Sequence, residues 1–144
     1  MKYDELKEEW KSDCNIDVGN LAKESLRIPL LHNKYYQEYI SHNKSLKKLE
    51  LEYQEHYKIR HAYYSGRLSE EELQEYNLEQ FPLILKSDIA VYLNSDKKLQ
   101  EITMRIFVQK QICDFLESII KTLNNRTFQI KNAIDFIKFE NGIG

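Results

Sequence analysis

The sequence predicts an all-α protein, elongated, with two long helices and a short amphipathic helix at the C-terminus. Three observations carry that expectation. Two prolines and four glycines punctuate 144 residues, far too few for the turns of a sandwich, a barrel or a doubly wound sheet. Hydrophobic residues make up 42%, enough for one core, while 31% are charged, so much of each helix must face water or a polar partner. Apolar residues recur at spacings of three and four rather than alternating.

A first helix is expected over residues 3–14, with Leu6 and Trp10 as its apolar pair. The segment NIDVGN breaks it, and Asp17 is placed to cap the next start. A long helical stretch follows over residues 18–65. Pro29 lies inside it, so either a new helix begins there with proline in its first turn or the helix kinks. From Ile28 onward, Ile28, His32, Tyr35, Tyr39, His42, Leu46, Leu49, Tyr53, His56, Arg60 and Tyr63 alternate by fours and threes, a heptad-like seam. Histidines and an arginine stand where a coiled coil places leucine. That disfavours a tight parallel dimer and suits packing against other helices, of the same or another subunit.

Gly66 sits where a helix-ending residue belongs. Ser69 and Glu72 have the spacing of a capping box and open a short acidic helix, which Pro82 closes off. Residues 86–96 read as a short helix and turn, and Ser95 or Asp96 caps a long helix reaching to about residue 123. Its apolar face is Leu99, Ile102, Ile106, Ile112, Cys113, Leu116, Ile119, Ile120 and Leu123, widened by Phe107 and Phe115. Asn124, Asn125 and Arg126 are expected to turn the chain into a last helix ending at Gly142. There Ile130, Ala133, Ile134 and Ile137 form a stripe flanked by Phe136 and Phe139, either the subunit's own core or an intersubunit seam.

Little in the chain suggests catalysis. It has neither a G-x-G-x-x-G nor a G-x-x-x-x-G-K-[ST] phosphate loop, and no G-x-S-x-G nucleophile context. His32, His42, His56 and His61 lack metal-ligand spacing, so no metal, no cofactor and no enzymatic activity are expected; an enzyme using the seam histidines is the weakest reading. The start is polar, and no window approaches the roughly 18 apolar residues of a membrane span. The expectation is a soluble, intracellular chain without a membrane partner. Cys14 and Cys113 are read as small buried hydrophobes in a reducing compartment.

Charge is partitioned. Residues 1–26 hold 4 cations and 7 acids, residues 44–67 hold 6 cations and 3 acids, and residues 68–80 hold 5 acids and no cation. The basic stretch is also rich in tyrosine: Lys47, Lys48, Lys58, Arg60, His61, Tyr63, Tyr64 and Arg67 are the candidate contacts for a polyanion. Two readings stay open on residues alone. Lys58, Arg60 and His61 suit the negative end of a long helix without any ligand. A flexible single strand, with phosphates on cations and bases stacked on tyrosine faces, accounts also for Arg67 and for Lys47 and Lys48.

Three collinear stretches then resemble one family, the UvsY-type recombination mediators of T-even-like phages. The opening LKEEWKSDCNIDVGNL matches at Leu6, Glu8, Glu9, Lys11, Asp13, Ile16, Asp17 and Leu21. The lysine-x-arginine at Lys58 and Arg60 and the run YYSGR at residues 63–67 form the second match, with Ile59 and His61 departing from the family context. The third is Phe128, Ile130, Lys131, Asp135, Phe139, Glu140 and Gly142 in the ending. Residues 68–99 agree less well.

The resemblance implies a non-enzymatic accessory factor that assembles as a ring-like homo-oligomer and binds single-stranded DNA. It further implies contacts with a phage RecA-like recombinase and the phage single-strand-binding protein, and loading of that recombinase onto coated strands in the cytoplasm of the infected bacterium. Lys58 and Arg60 would contact DNA, and Phe128, Ile130, Ile134, Ile137 and Phe139 would serve oligomerisation. Residues 1–94 are accordingly expected to be a DNA-binding region and residues 95–144 an oligomerisation region, with one continuous structural unit also compatible. The alternative is a helical scaffold or adaptor oligomer that does not touch DNA.

Overall fold

The computed structural model describes residues 1–143, and among them every regular element is helical. Five α-helices follow one another: α1 (Tyr3–Asp13), α2 (Leu21–Tyr64), α3 (Glu70–Glu75), α4 (Ile89–Asn94) and α5 (Lys97–Glu140). Short 3-10 turns at Val18–Asn20 and Lys86–Asp88 precede α2 and α4. The all-α expectation holds.

The caps fall where side-chain chemistry placed them. Asp17 accepts the Gly19 N–H at 3.0 Å, and Ser69 and Glu72 close a reciprocal capping box on α3. Asp96, not Ser95, caps α5, accepting the Leu99 N–H at 2.9 Å. Gly66 has φ +70°, where an L side chain would be strained. There the Gly66 N–H donates to the Tyr63 carbonyl and the Arg67 N–H to the Ala62 carbonyl, a paired closure that ends α2 and turns the chain back.

Three local expectations are corrected. Residues 124–126 do not turn: α5 runs unbroken for 44 residues, so the last amphipathic segment is the end of a long helix. Asn and Arg only weakly disfavour helix, and Arg126 is 1% exposed, held inward by its contacts. Pro29 does not start a new helix, because α2 continues through it. The carbonyl four residues back, on Ser25, has no N–H to accept there, and both residues lie on the solvent side. Cys14 is exposed at the end of α1, while Cys113 is buried as expected.

The chain forms two compact units: Met1–Lys44 with the chain from Lys110 on, and Ser45–Gln109. The boundary expected near residue 95 divides roles and coincides with neither. In the first unit α1, α2 and α5 close on Leu6, Leu31, Tyr35, Ile112, Leu116, Ile119 and Leu123, with Tyr3, Trp10, Tyr39 and Phe115 packed around them. Each fully buried Leu or Ile contributes about 1.5–3 kcal/mol. Asp13 gathers the polar rim, accepting hydrogen bonds from Tyr35 (2.8 Å), Lys34 (2.7 Å) and Arg27 (3.2 Å). Arg126 reaches the carbonyls of Asp13 and Cys14 at 3.0 and 3.2 Å, so a cation meets the unpaired carbonyls at the negative end of α1.

The seam runs as predicted. Every position from Ile28 to Tyr63 in that series is buried or half-buried. Phe107 is the exception on the α5 face, at 56% exposed.

Candidate nucleic-acid interface

All the predicted DNA contacts lie in the unit Ser45–Gln109, on the second half of α2 and the turn behind it. At about 100° per residue they cannot share one side of the helix. Lys47, Lys48, Lys58 and Arg67 are exposed, whereas Arg60, His61, Tyr63 and Tyr64 are half-buried.

The half-buried group is engaged internally. Arg60 Nε lies 3.4 Å from an Asp96 carboxylate oxygen, and the Tyr64 hydroxyl donates to that same carboxylate. Asp96 is 4% exposed, so its charge is compensated by a helix-start N–H, a phenol and a guanidinium together. Burial, the hydrogen bond to Asp96 and the charge of Asp96 push the Tyr64 hydroxyl up to about 12. Tyr63 donates to the Glu79 carbonyl at 2.8 Å. The rings of Tyr63, Tyr64, Phe81 and Tyr92 pack together at centroid distances of 5.0–5.7 Å. Tyr63 and Tyr64 thus hold α2 to the segment around Phe81 and to α4.

Two grooves flank this cluster, with opposite electrostatics. Lys58 lines one of about 340 Å³ together with Glu55, Glu72 and Tyr76, so its ammonium shares that groove with two carboxylates. The other, about 660 Å³, has Tyr53, Tyr57, His61, Arg67 and Lys86 on its walls and no carboxylate. Tyr53, Tyr57 and His61 succeed one another one helical turn apart. Their ring centroids are 6.1 and 6.2 Å apart, and each pair is tilted by 31°. The turn at Gly66 carries Arg67 back so that its Nη2 donates to His61 Nδ1 at 2.8 Å. An arginine has only donors to offer, so Nδ1 accepts and the ring's proton sits on Nε2. Tyr57 and Lys86 were not among the sequence candidates. The i, i+4, i+8 aromatic spacing at 53, 57 and 61 was the available signal for Tyr57; nothing in the sequence brings Lys86 to it.

Among the predicted assembly residues, Ile130 is 4% exposed and enclosed within its own chain. Phe128 (67%) and Phe139 (76%) are open, with Phe136 beside them, Ile134 on the border and Ile137 half-buried. Among the described residues no group of three His, Cys, Asp or Glu side chains is arranged to hold a metal, and no helix is long and apolar enough to cross a membrane.

Exposed cations beside accessible aromatic rings are the features with which single-strand nucleic-acid binders hold phosphates and stack on bases. Comparison with known proteins gives the family. The family model described as "Recombination, repair and ssDNA binding protein UvsY" matches residues 9–143, and the chain belongs to that family. It is 27% identical over 142 residues to the recombination protein uvsY of Enterobacteria phage T4, covering 99% of each chain. Crystal structures of the bacteriophage T4 recombination mediator protein UvsY share the fold. The lattice type II form superposes with a TM-score of 0.83 at 26% identity, over 98% of each chain. The lattice type I form gives 0.77, also at 26% identity, over 94% of this chain and 98% of the other.

Proposed function

We propose that this chain is a recombination mediator that binds single-stranded DNA and loads a phage RecA-like recombinase onto strands covered by the phage single-strand-binding protein. Its membership of the UvsY family over residues 9–143 carries the reading. The chemistry agrees with it: Lys47, Lys48, Lys58 and Arg67 stand exposed along and just beyond one helix. Action as a ring-like homo-oligomer in the host cytoplasm belongs to the same proposal, with Phe128, Ile134, Ile137 and Phe139 of α5 at the subunit seam. A ring repeats each modest cationic patch, so avidity replaces a high overall basic charge.

Arg60 is the residue for which the scaffold reading has an observation of its own, because its charge is taken up by Asp96. Testing Lys58 and Arg60 separately therefore resolves more than testing them together. Fluorescence anisotropy with a labelled oligothymidylate at two salt concentrations is the experiment. Lys58→Ala should weaken binding and lower the salt slope by roughly 0.7 for each phosphate that a subunit no longer neutralises, with the sedimentation coefficient unchanged. No binding by the unaltered protein would favour the scaffold. Unaltered affinity and slope in the variant would leave Lys58 a surface charge.

A further inference from the structure

We propose that the carboxylate-free groove beside Gly66 is a nucleobase site, in which bases of a single strand stack on the Tyr53–Tyr57–His61 ladder while Arg67 and Lys86 meet the adjoining phosphates. This rests on the reading of the chain as a single-strand binder and says where on α2 the strand runs: along the His61 side, with Lys58 touching it separately.

Four observations support it. The groove, about 660 Å³, has room for more than a side chain. Tyr57 is 42% exposed, so part of it is accessible to a ligand. The rings are sequential and similarly tilted, which suits successive bases of an extended strand rather than one compact ligand. Arg67 and Lys86 supply positive charge on walls with no opposing carboxylate, whereas in the groove at Lys58 the carboxylates of Glu55 and Glu72 offset part of that lysine's pull on a phosphate. Arg67 is also positioned: its bond to His61 holds a donor-rich guanidinium at the end of the ladder. Stacking of this kind reads no particular sequence, because every base has a π-face. It does require a single strand, because a duplex hides its base faces.

The test compares Tyr57→Ala, Tyr57→Phe, Lys86→Gln and Lys58→Ala for binding to oligothymidylate, with circular dichroism and sedimentation on each. Tyr57→Ala should lose roughly 5- to 100-fold in affinity without altering the salt slope, and Tyr57→Phe should restore it. Lys86→Gln should instead lower the slope by about 0.7 for each phosphate the lysine neutralises. Photocrosslinking of the unaltered protein to an oligonucleotide carrying 5-iododeoxyuridine should place adducts on Tyr53, Tyr57 or His61. Binding that persists unchanged in Tyr57→Ala and Lys86→Gln, or adducts confined to other residues, overturns the groove assignment while leaving single-strand binding intact. Absence of binding by the unaltered protein overturns both. If thymidine monophosphate displaces the oligonucleotide at micromolar concentration, the groove holds a free nucleotide and the strand assignment is wrong.

Discussion

The unit built from Met1–Lys44 and the chain from Lys110 on, and the unit Ser45–Gln109, are held together by different chemistry. The first closes one apolar cluster from three helices, with polar groups paired at its rim: Asp13 takes Arg27, Lys34 and Tyr35, and one nitrogen of Arg126 takes the end of α1. The second fixes its segments through an aromatic cluster and one buried carboxylate, Asp96, and leaves grooves with cations on their walls open. The same long helix passes through both. In the first unit its aromatic and charged groups serve the fold, and in the second part of that stock stays available to a partner.

Arg126→Ala tests the first half of this contrast and should have the largest effect. It removes two hydrogen bonds to helix-end carbonyls and a guanidinium 5.9 Å from the Trp10 ring, and it leaves a void under a closed core. The cost should be about 3 kcal/mol or more, read as a lower urea midpoint. Arg126→Met should cost less, because Nε and Nη1 have no hydrogen-bond partner among the described residues and their removal relieves an unmet demand. By hydrogen exchange, amides of Tyr3–Asp13 should lose protection while those of Ile89–Asn94 keep theirs. Equal loss in both places would abolish the contrast.

Asp96→Ala is the counterpart in the second unit, expected to cost about 2–3 kcal/mol. It deletes the α5 cap, worth about 1 kcal/mol, and strands the Tyr64 hydroxyl and the Arg60 guanidinium. Tyr64→Phe removes only one of those bonds and should cost about 1 kcal/mol. Exchange should now rise around Ile89–Asn94 and the start of α5, with Tyr3–Asp13 spared. If Asp96→Ala is neutral, the carboxylate is not what fixes this unit.

How much of this was legible from the chain depends on the range of the interaction. Local chemistry was: the Ser69–Glu72 box, the Gly66 stop and the seam from Ile28 to Tyr63 follow from side chains a few residues apart. Interactions between distant positions were not. Nothing near Arg60, a candidate DNA contact, shows that Asp96, far along the sequence, lies 3.4 Å from it. Arg126 read as part of a polar turn because nothing near it reveals that the end of α1 comes to meet it. On sequence alone Tyr63 and Tyr64 could stack on bases or pack between helices, and nothing near them shows that Phe81 and Tyr92 lie against them. Residue type established what each group can do, and tertiary packing decided which of those things remained open to it.

The acid sensitivity of the first unit is expected to be a smaller effect than that of Arg126→Ala or Asp96→Ala. Burial disfavours the charged form of Asp13, but hydrogen bonds from Lys34 and Tyr35 and the charges of Lys34 and Arg27 outweigh that and hold its carboxyl below the usual carboxylate range. The folded state therefore binds this proton less readily than the unfolded chain does. Its contribution is fully present above the unfolded value of about 3.9 and is lost as pH falls through the lower folded value. Asp13→Asn keeps the shape but gives up the charge, and should cost about 1–2 kcal/mol at pH 7. Titrated downward from pH 5, the urea midpoint of the unaltered protein should fall toward that of Asp13→Asn, so that the gap between them narrows. A gap that stays constant into strong acid would mean that Asp13 holds the unit by shape and hydrogen bonding alone, and that the ionic rim adds nothing to the difference between the two units.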